Sequence, residues 1–251
     1  MLTTTIELEG VHNFRALAPY PLKDGGRIRP GMVYRSGALE LMTDGDAEIL
    51  TAKIRLAAVL DLRHPDELTA ATPRALAHVH KPLSLFPETI SQEGLIEELN
   101  GLYGPGPGPH RYFHYLKIGA DRFAQACELL SAQDAYPVLV HCTAGKDRTG
   151  VLLALLMDLL GAREEDIAAE YALSNASIER LIDYLESTGR ELEGTRDEIR
   201  ERLATPPERI AGFIDLVRQN YGSAADYFQS VGVEDDRLER IKSTLTEPTE
   251  S

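Results

Sequence analysis

The sequence predicts an α/β fold in which helices flank a central, mostly parallel sheet, with a helical insertion and a helical C-terminal part. Residues 56–60 and 136–141 are short apolar runs, which suit strands buried on both faces. The second run leads through a tight turn into an apolar helical pattern, and the pattern stays helical from residue 162 onward. With 251 residues, 43% of them hydrophobic, the chain can bury a sizeable core. Since it shows no repeat or second core, we expect 1–251 to form a single domain.

The first predicted elements are two strands and a capped helix. Residues 27–36 match two short strands around a Pro-Gly turn, a pattern typical of a hairpin. Thr43, with Asp46 three residues later, predicts the N-cap of a short helix that runs through Lys53. The buried strand that follows ends at Asp61.

Residues 87–110 have the character of an insertion. A second predicted strand, 77–85, precedes them, and residues 91–102 predict a short acidic helix. The alternating Gly-Pro run 104–109 suits neither a helix nor a strand. Because a long loop inside a compact domain often covers or shapes a binding site, we treat 87–110 as a candidate lid, with a solvated surface excursion as the alternative.

The second half of the chain supplies the core strand and most of the helices. Residues 111–132 predict a helix, and the strand 136–141 has its proline at the entry. A buried helix, 149–160, ends at Gly161. Further helices follow, with breaks at Gly189, Gly194, Pro206-Pro207 and Gly222.

The charge balance limits the partners. Lys and Arg number 26 against 40 Asp and Glu, which gives a formal net charge of -14. A chain this acidic repels phosphates at long range, so we expect no nucleic-acid binding. The longest apolar run, 151–160, is too short to span a bilayer, so we expect no stable membrane insertion. An anionic substrate then requires a local site of positive charge and backbone N–H groups.

The cysteine content indicates a reducing compartment. Cys127 and Cys142 are too few for a disulfide framework in a chain of this size. Residues 1–7 lack the basic and apolar regions of a signal peptide. We therefore expect a cytoplasmic protein. Secretion by a route that needs no signal peptide stays open as the alternative.

The segment 141–150, HCTAGKDRTG, has the features of a phosphate cradle. Between a strand and a helix N-terminus, its consecutive N–H groups can converge on one tetrahedral oxyanion. The same field favours the thiolate of Cys142, which can attack phosphorus. Arg148 can grip two phosphate oxygens through its planar guanidinium. The residues expected to bind the phosphate are Thr143, Ala144, Gly145, Lys146 and Arg148.

Three other residues of the segment, together with Gly145, are expected to support the cradle. The Thr149 hydroxyl can donate to the Cys142 sulfur, and His141 can brace the loop by hydrogen bonds to its backbone. Gly145 and Gly150 allow the backbone to approach its neighbours closely.

Other interpretations of the segment are weaker. An inert buried cysteine is common after an apolar strand, but the glycine, basic and threonine residues beside Cys142 argue against it. A Walker-type nucleotide loop is excluded because Asp147 follows Lys146 where Ser or Thr is needed. Cys127 has no basic neighbour at a suitable spacing, and we expect it in the core.

His-Cys, five residues and Arg-Thr-Gly together resemble the signature of the cysteine-dependent protein tyrosine phosphatase superfamily. The wider sequence looks like the bacterial tyrosine/serine and phosphoinositide phosphatases of the PtpB-like and IphP types. The shared motifs, in chain order, are Asn13-Phe14-Arg15, Tyr34-Arg35-Ser36, Asp61-Leu62-Arg63, the signature segment, Glu170-Tyr171 with Ser174-Asn175, and Tyr221-Gly222-Ser223 with Tyr227.

The resemblance implies a phosphatase fold and hydrolysis of phosphate monoesters through a phosphocysteine intermediate, with no metal and no cofactor. It implies that Cys142 is the nucleophile, that Arg148 holds the phosphoryl group and that Asp61 supports Arg148 from the neighbouring strand end. The implied substrate is a phosphorylated protein, with phosphotyrosine first and phosphoserine or phosphothreonine in addition. Phosphoinositide is the alternative, since Lys146 can bind a second phosphate on an inositol ring. The other interpretation of Lys146 is that it only balances the charge of Asp147.

The general acid lacks its usual marker. Many members of the superfamily carry it in a Trp-Pro-Asp loop, and this chain contains no Trp. The candidates are Asp147, Glu88 and Asp121. In the group that the chain resembles, the general acid is the Asp inside the signature loop, and Asp147 matches it. The alternative interpretation of Glu88 and Asp121 is that they are ordinary surface carboxylates.

Two other classes of function are less well supported. A non-catalytic phospho-binding module is expected to have lost Cys142 or Arg148, and both are present. A sulfur or arsenate transfer protein can use a similar cysteine loop, but the Arg148-Thr149-Gly150 ending argues against it.

Overall fold

The computed structural model describes residues 6–68 and 73–248. The strands are β1 (Arg15–Ala16), β2 (Arg27–Ile28), β3 (Val33–Ser36), β4 (Ala58–Asp61), β5 (His80–Pro82), β6 (Val138–His141) and β7 (Thr246–Glu247). The helices are α1 (Asp44–Glu48), α2 (Gln92–Tyr103), α3 (Pro109–Ile118), α4 (Ala120–Leu130), α5 (Asp147–Leu160), α6 (Glu164–Ala172), α7 (Ile178–Ser187), α8 (Arg196–Leu203), α9 (Pro207–Tyr221), α10 (Ala224–Ser230) and α11 (Asp235–Leu245). Residues 1–5, which the expectation about a signal peptide includes, lie outside the described part.

The main sheet is mixed but mostly parallel, so the predicted fold class is confirmed. Its strand order is β1-β3-β6-β4-β5, with β1 antiparallel to β3 and the other pairs parallel. In this register Ser36 of β3 and Asp61 of β4 both lie beside His141 of β6. The carboxyl ends of three parallel strands therefore meet where the cysteine loop begins, which is the usual edge for ligand binding in such sheets.

The central strands are buried on both faces, as their apolar runs predict. Val138 and Val140 of β6 belong to a large core that includes α3, α4, α5 and α9. Leu139, between them, belongs to a smaller core on the other face, because successive side chains of a strand point to opposite faces. Helix α5 is buried over twelve of its fourteen residues, so it fixes the loop that precedes it.

The predicted hairpin over residues 27–36 is wrong. Strand β2 pairs with β7, with Arg27 opposite Glu247, whereas β3 lies in the main sheet between β1 and β6. Gly31 does turn the chain, with a φ of 76°. All four residues of β3 are buried, however, so this strand needs partners on both sides. The turn signal located the bend and did not identify the pairing.

Several helices match the predictions within a few residues. Thr43 caps α1 in a capping box with Asp46, and the helix continues as a π-helical turn over Ile49–Ile54. The predicted helix 111–132 is instead two helices, α3 and α4. They join at Gly119, where a Cβ atom would lie 2.3 Å from a backbone oxygen.

The C-terminal part is helical, as predicted, apart from the short strand β7. None of the helices in the described ranges has the length and apolar character that crossing a bilayer requires.

Candidate active site

A cleft of about 400 Å³ lies at the carboxyl ends of the central strands. Its floor is the Cys142 loop, residues 142–148, which joins β6 to α5. The loop residues that line the cleft are Cys142, Thr143, Ala144, Lys146, Asp147 and Arg148. The predicted nucleophile, the arginine, one candidate acid and all the cradle residues except Gly145 thus line one cleft.

The carbonyl groups of the Cys142 loop are held from behind. The side-chain amide of Asn13 donates to the carbonyls of Ala144 at 3.1 Å and Gly145 at 2.9 Å. Arg35 donates to the Gly145 carbonyl as well. Since the C=O and N–H of a trans peptide point in opposite directions, this leaves the loop N–H groups free to turn toward the cleft. Within the described residues, the N–H groups of 143–148 donate to no backbone acceptor.

The residues behind the loop come from motifs far apart in the sequence. Arg15 Nε lies 2.9 Å from a carboxylate oxygen of Glu170, and the same carboxylate accepts from Arg35. Burial by itself raises the pKa of Glu170, but the two guanidinium charges hold it below its usual value. The carboxylate therefore stays ionised and locks the two arginines behind the loop.

Glycine is required at two points of the signature segment, as predicted. Gly145 has a φ of 66°, and a Cβ atom there would lie 2.2 Å from the Ser36 carbonyl oxygen. A Cβ atom at Gly150 would lie 2.9 Å from the Tyr171 ring. Either side chain would push the loop or the helix away from the sheet.

His141 lies under the loop, beside Asp61. Its Nδ1 is 3.4 Å from the Cys142 carbonyl oxygen, and its Nε2 is 3.5 Å from Asp61 Oδ2. Asp61 also accepts two hydrogen bonds from the guanidinium of Arg63, at 2.9 and 2.7 Å. The expected support of Arg148 by Asp61 is therefore wrong, because this carboxylate holds Arg63 and the histidine instead.

The carboxylate that supports Arg148 is Glu67. The two guanidinium NH groups of Arg148 bond its two oxygens, one of them at 2.7 Å, and the Thr143 hydroxyl donates to it at 2.6 Å. Burial alone raises the pKa of Glu67, but the charge of Arg148 and these hydrogen bonds lower it to about 2. Glu67 in turn holds the pKa of the buried Arg148 above its usual value.

Sequence reasoning missed Glu67 because it lies in a single 3₁₀ turn after β4, Pro65–Glu67, where no periodic pattern marks it. One local signal was available. His64 and Glu67 form a capping box, with Pro65 at the first position of the turn, which is the spacing that marks a helix start.

Asp61, His80 and His141 offer ligand atoms that lie within 4.8 Å of one another, which suits a metal ion. The guanidinium of Arg63 already bonds both oxygens of Asp61, however. A cation would have to displace that positive charge, so the arrangement fits a bracing ion-pair network better than a metal site.

Asp147 is the first residue of α5 and is partly exposed to the cleft. The Tyr112 hydroxyl donates to its Oδ1 and lies 2.7 Å from the Tyr171 hydroxyl. Lys146 Nζ lies 3.8 Å from its Oδ2 and donates to the Leu203 carbonyl at 2.7 Å. The contacts of the Asp147 carboxylate are thus with a tyrosine and a lysine.

The other two candidate acids lie outside the cleft lining. The Glu88 side chain is 57% exposed, with Arg122 at 3.8 Å. Asp121 is exposed on the first turn of α4. Glu88 and Asp121 therefore lie on the surface, as the alternative interpretation of these two residues expects.

The Thr149 hydroxyl is buried without a hydrogen-bond partner among the described residues. The expected bond from this hydroxyl to the Cys142 sulfur is therefore not formed here. Cys127 lies in the core, as predicted, where burial raises the pKa of its thiol to about 12.

Two other parts of the chain line the cleft. The candidate lid contributes Leu95, Ile96 and Leu99 of α2, capped by Ser91, together with Gly106 and Pro107 of the glycine-proline run. The region of α7 and α8 contributes Leu181, Leu185, Arg190, Arg202 and Leu203. The walls of the cleft therefore combine leucine and isoleucine side chains with arginines, above a polar floor.

Comparisons with known proteins identify the family of the chain. The model of the tyrosine phosphatase family matches residues 6–247. A tyrosine-protein phosphatase of Nostoc commune is 28% identical over 229 residues, covering 84% of this chain and 73% of that protein. The triple specificity protein phosphatase PtpB of Mycobacterium tuberculosis is 26% identical over 276 residues, covering 95% and 98%.

Among solved structures, the core catalytic domain of the PP-IP phosphatase SIW14 from S. cerevisiae is similar with a TM-score of 0.38 and 17% identity. That similarity covers 62% of this chain and 78% of the other. The family match extends over almost the whole described chain and includes every residue of the cleft. The chain belongs to the tyrosine phosphatase family.

Proposed function

We propose that the chain hydrolyses phosphotyrosine in proteins, with Cys142 as the nucleophile and Arg148 as the phosphate clamp. The observation that carries this proposal is the convergence of Cys142, Arg148 and the inward-facing N–H groups at the floor of one cleft. The leucine and isoleucine side chains of the cleft favour an aryl ester, because they can pack against an aromatic ring.

The reaction has two displacement steps at phosphorus. The Cys142 thiolate attacks, an S–P bond forms, and the bond from phosphorus to the tyrosine oxygen breaks. The loop N–H groups and Arg148 hold the three equatorial oxygens while charge develops. Water then attacks the phosphocysteine, the S–P bond breaks, and phosphate and the thiolate are released. Since the nucleophile is a free thiolate, this chemistry needs a reducing environment, in keeping with the expected cytoplasmic location.

Asp147 is our assignment for the general acid. The Tyr112 hydroxyl fixes Oδ1, and Lys146 Nζ stays beyond hydrogen-bond length from Oδ2. Oδ2 is therefore the oxygen that we expect to give its proton to the leaving tyrosine oxygen and to take one from water in the second step.

A phosphatase assay tests the proposed function. Phosphate release from p-nitrophenyl phosphate should persist in the presence of EDTA and should be inhibited by vanadate, which mimics the five-coordinate phosphorus. Activity that disappears with EDTA and returns with a divalent cation would contradict the proposed mechanism.

Asp147→Asn should slow the enzyme most where the leaving group is most basic. A nitrophenolate leaves without much help, tyrosine has a pKa of about 10, and an alkoxide is more basic still. We expect kcat to fall about tenfold or less for p-nitrophenyl phosphate and about a hundredfold or more for phosphotyrosine and alkyl phosphates.

Glu88→Gln and Asp121→Asn are the matched controls and should show no such gradient. An equal loss with all three substrates would mean that Asp147 shapes the loop instead of giving a proton. A gradient in Asp121→Asn would transfer the role to that residue.

Ile96→Ser tests whether the candidate lid acts as a wall of the site. Leu95 and Leu99 pack in the main core, so deleting 87–110 would disturb folding, whereas Ile96 is 42% exposed at the cleft. Losing its apolar contact with the tyrosine ring should raise KM for a phosphotyrosine peptide about threefold to fivefold. Leu102→Ser, on the same helix but outside the cleft lining, is the control. Equal KM values for Ile96→Ser and the unchanged protein would leave the segment as a surface excursion.

A further inference from the structure

Two arginines that line the cleft form no direct ion pair with a carboxylate among the described residues. Arg190 and Arg202 both line the cleft and are exposed. Arg202 donates to the backbone carbonyl of Glu193 at 2.9 Å. Neither arginine has an Asp or Glu oxygen within ion-pair distance among the described residues. Both side chains therefore border the cleft without a carboxylate in contact to neutralise them.

Nearby arginines that point away from the cleft are paired. Arg196 lies 2.9 Å from carboxylate oxygens of Glu179 and Asp183, and Arg200 also pairs with Glu179. In a chain with 40 acidic and 26 basic residues, carboxylates are plentiful. The lack of partners at the cleft thus sets Arg190 and Arg202 apart from arginines of the same helical region.

The backbone beside both arginines is fixed to the Cys142 loop. Lys146 Nζ bonds the carbonyl of Leu203, the residue after Arg202. The N–H of Arg190 bonds the carbonyl of Leu185, which packs in a small core against the loop. The backbone of the two arginines is therefore set relative to the phosphate site, and their long side chains can adapt to a ligand from there.

We propose that Arg190 and Arg202 form a subsite for a carboxylate side chain close to the phosphotyrosine, so that the protein prefers acidic phosphopeptides. This inference rests on the proposed function. The scissile phosphate is already matched by the loop N–H groups and Arg148, so the rim cations are left for a second anion. The leucine and isoleucine side chains that line the same cleft suit a peptide segment with one aromatic and one acidic side chain.

The test compares one phosphotyrosine peptide flanked by Asp and Glu with the same peptide carrying Asn and Gln there. For the unchanged protein at low salt, kcat/KM should be about threefold to tenfold higher for the acidic peptide, and the ratio should shrink as salt is added. Arg190→Gln with Arg202→Gln should bring the ratio close to one. Arg190→Glu with Arg202→Glu should invert it.

The matched control is Arg196→Gln with Arg200→Gln, which removes the same charge from the same region and should keep the ratio. Two results would overturn the subsite. One is a kcat/KM ratio of one for the two peptides in the unchanged protein, and the other is a fall of that ratio in the control as large as in the Arg190 and Arg202 variant. The subsite would also be overturned if the Arg190 and Arg202 substitutions lowered kcat/KM for a short-chain phosphatidylinositol bisphosphate and left kcat/KM for the acidic peptide unchanged.

Failure of the proposed function looks different. It would show as a lack of turnover of either peptide and of p-nitrophenyl phosphate by the unchanged protein. The subsite would then still be judged by the ratio of Kd values for the two peptides, measured on Cys142→Ser protein with and without the arginine substitutions. Equal Kd values for the two peptides would overturn it.

Discussion

Cys142→Ser is expected to abolish turnover and to leave anion binding intact. A serine hydroxyl is not ionised at neutral pH, so it cannot replace the thiolate that forms the S–P bond. The donors that we propose for the phosphate are the loop N–H groups and Arg148, and the substitution removes none of them. We expect kcat for p-nitrophenyl phosphate to fall by about 10³-fold or more. Tungstate should still raise Tm, because it binds the folded state.

Cys127→Ala is the matched control for this variant. Its thiol is buried in α4 among the core residues, and burial raises its pKa to about 12, so it is not a nucleophile at neutral pH. The substitution should cost about 1 kcal/mol of folding stability through the lost packing and leave kcat as it was. Turnover by Cys142→Ser above about one per cent of normal would rule out a phosphocysteine.

The fold was predictable where local patterns decide it. The apolar runs before Asp61 and His141 predicted the two central strands, because strands buried on both faces need continuous apolar sequence. The cysteine loop and its helix followed from residue types at fixed spacing. The pairing of β2 with β7 was not predictable, since the partner lies at the other end of the chain and neither strand carries a pattern of its own.

The sequence was enough to predict that Cys142, its loop and Arg148 lie together, but not which carboxylate contacts Arg148. Asp61 and Glu67 are both buried carboxylates near the end of β4, and the sequence does not show which of them faces Arg148. The choice depends on the direction of the chain after β4. Arg63 folds back on Asp61, two residues away, and the turn that follows swings Glu67 toward the loop. Such a choice between two acids is a property of tertiary structure.

Arg148→Lys is expected to be nearly as damaging as loss of the nucleophile. The guanidinium of Arg148 is buried and is held in plane by two hydrogen bonds to Glu67, which aims its remaining N–H groups. A lysine keeps the charge but has no planar fork, so it can match neither Glu67 nor two phosphate oxygens at once. We expect kcat/KM for phosphotyrosine peptides to fall about 10²-fold to 10⁴-fold, with most of the loss in kcat. A loss of less than tenfold would contradict the clamp.

Glu67→Gln tests the orientation of the Arg148 guanidinium separately from its charge. Because Glu67→Gln leaves the Arg148 guanidinium in place, kcat should fall less in this variant than in Arg148→Lys. The free energy of unfolding, however, should fall more than in Arg148→Lys. The pKa of Glu67, about 2, lies below its usual value of 4.5, so the pair stabilises the folded state fully above about pH 4.5 and loses that effect as the pH drops through 2. The stability gap between the unchanged protein and Glu67→Gln, measured by urea unfolding, should therefore be on the order of 3 kcal/mol at pH 7 and should narrow below pH 4. A gap that does not change with pH would mean that Glu67 acts by shape alone, and the position of Arg148 would then have another cause.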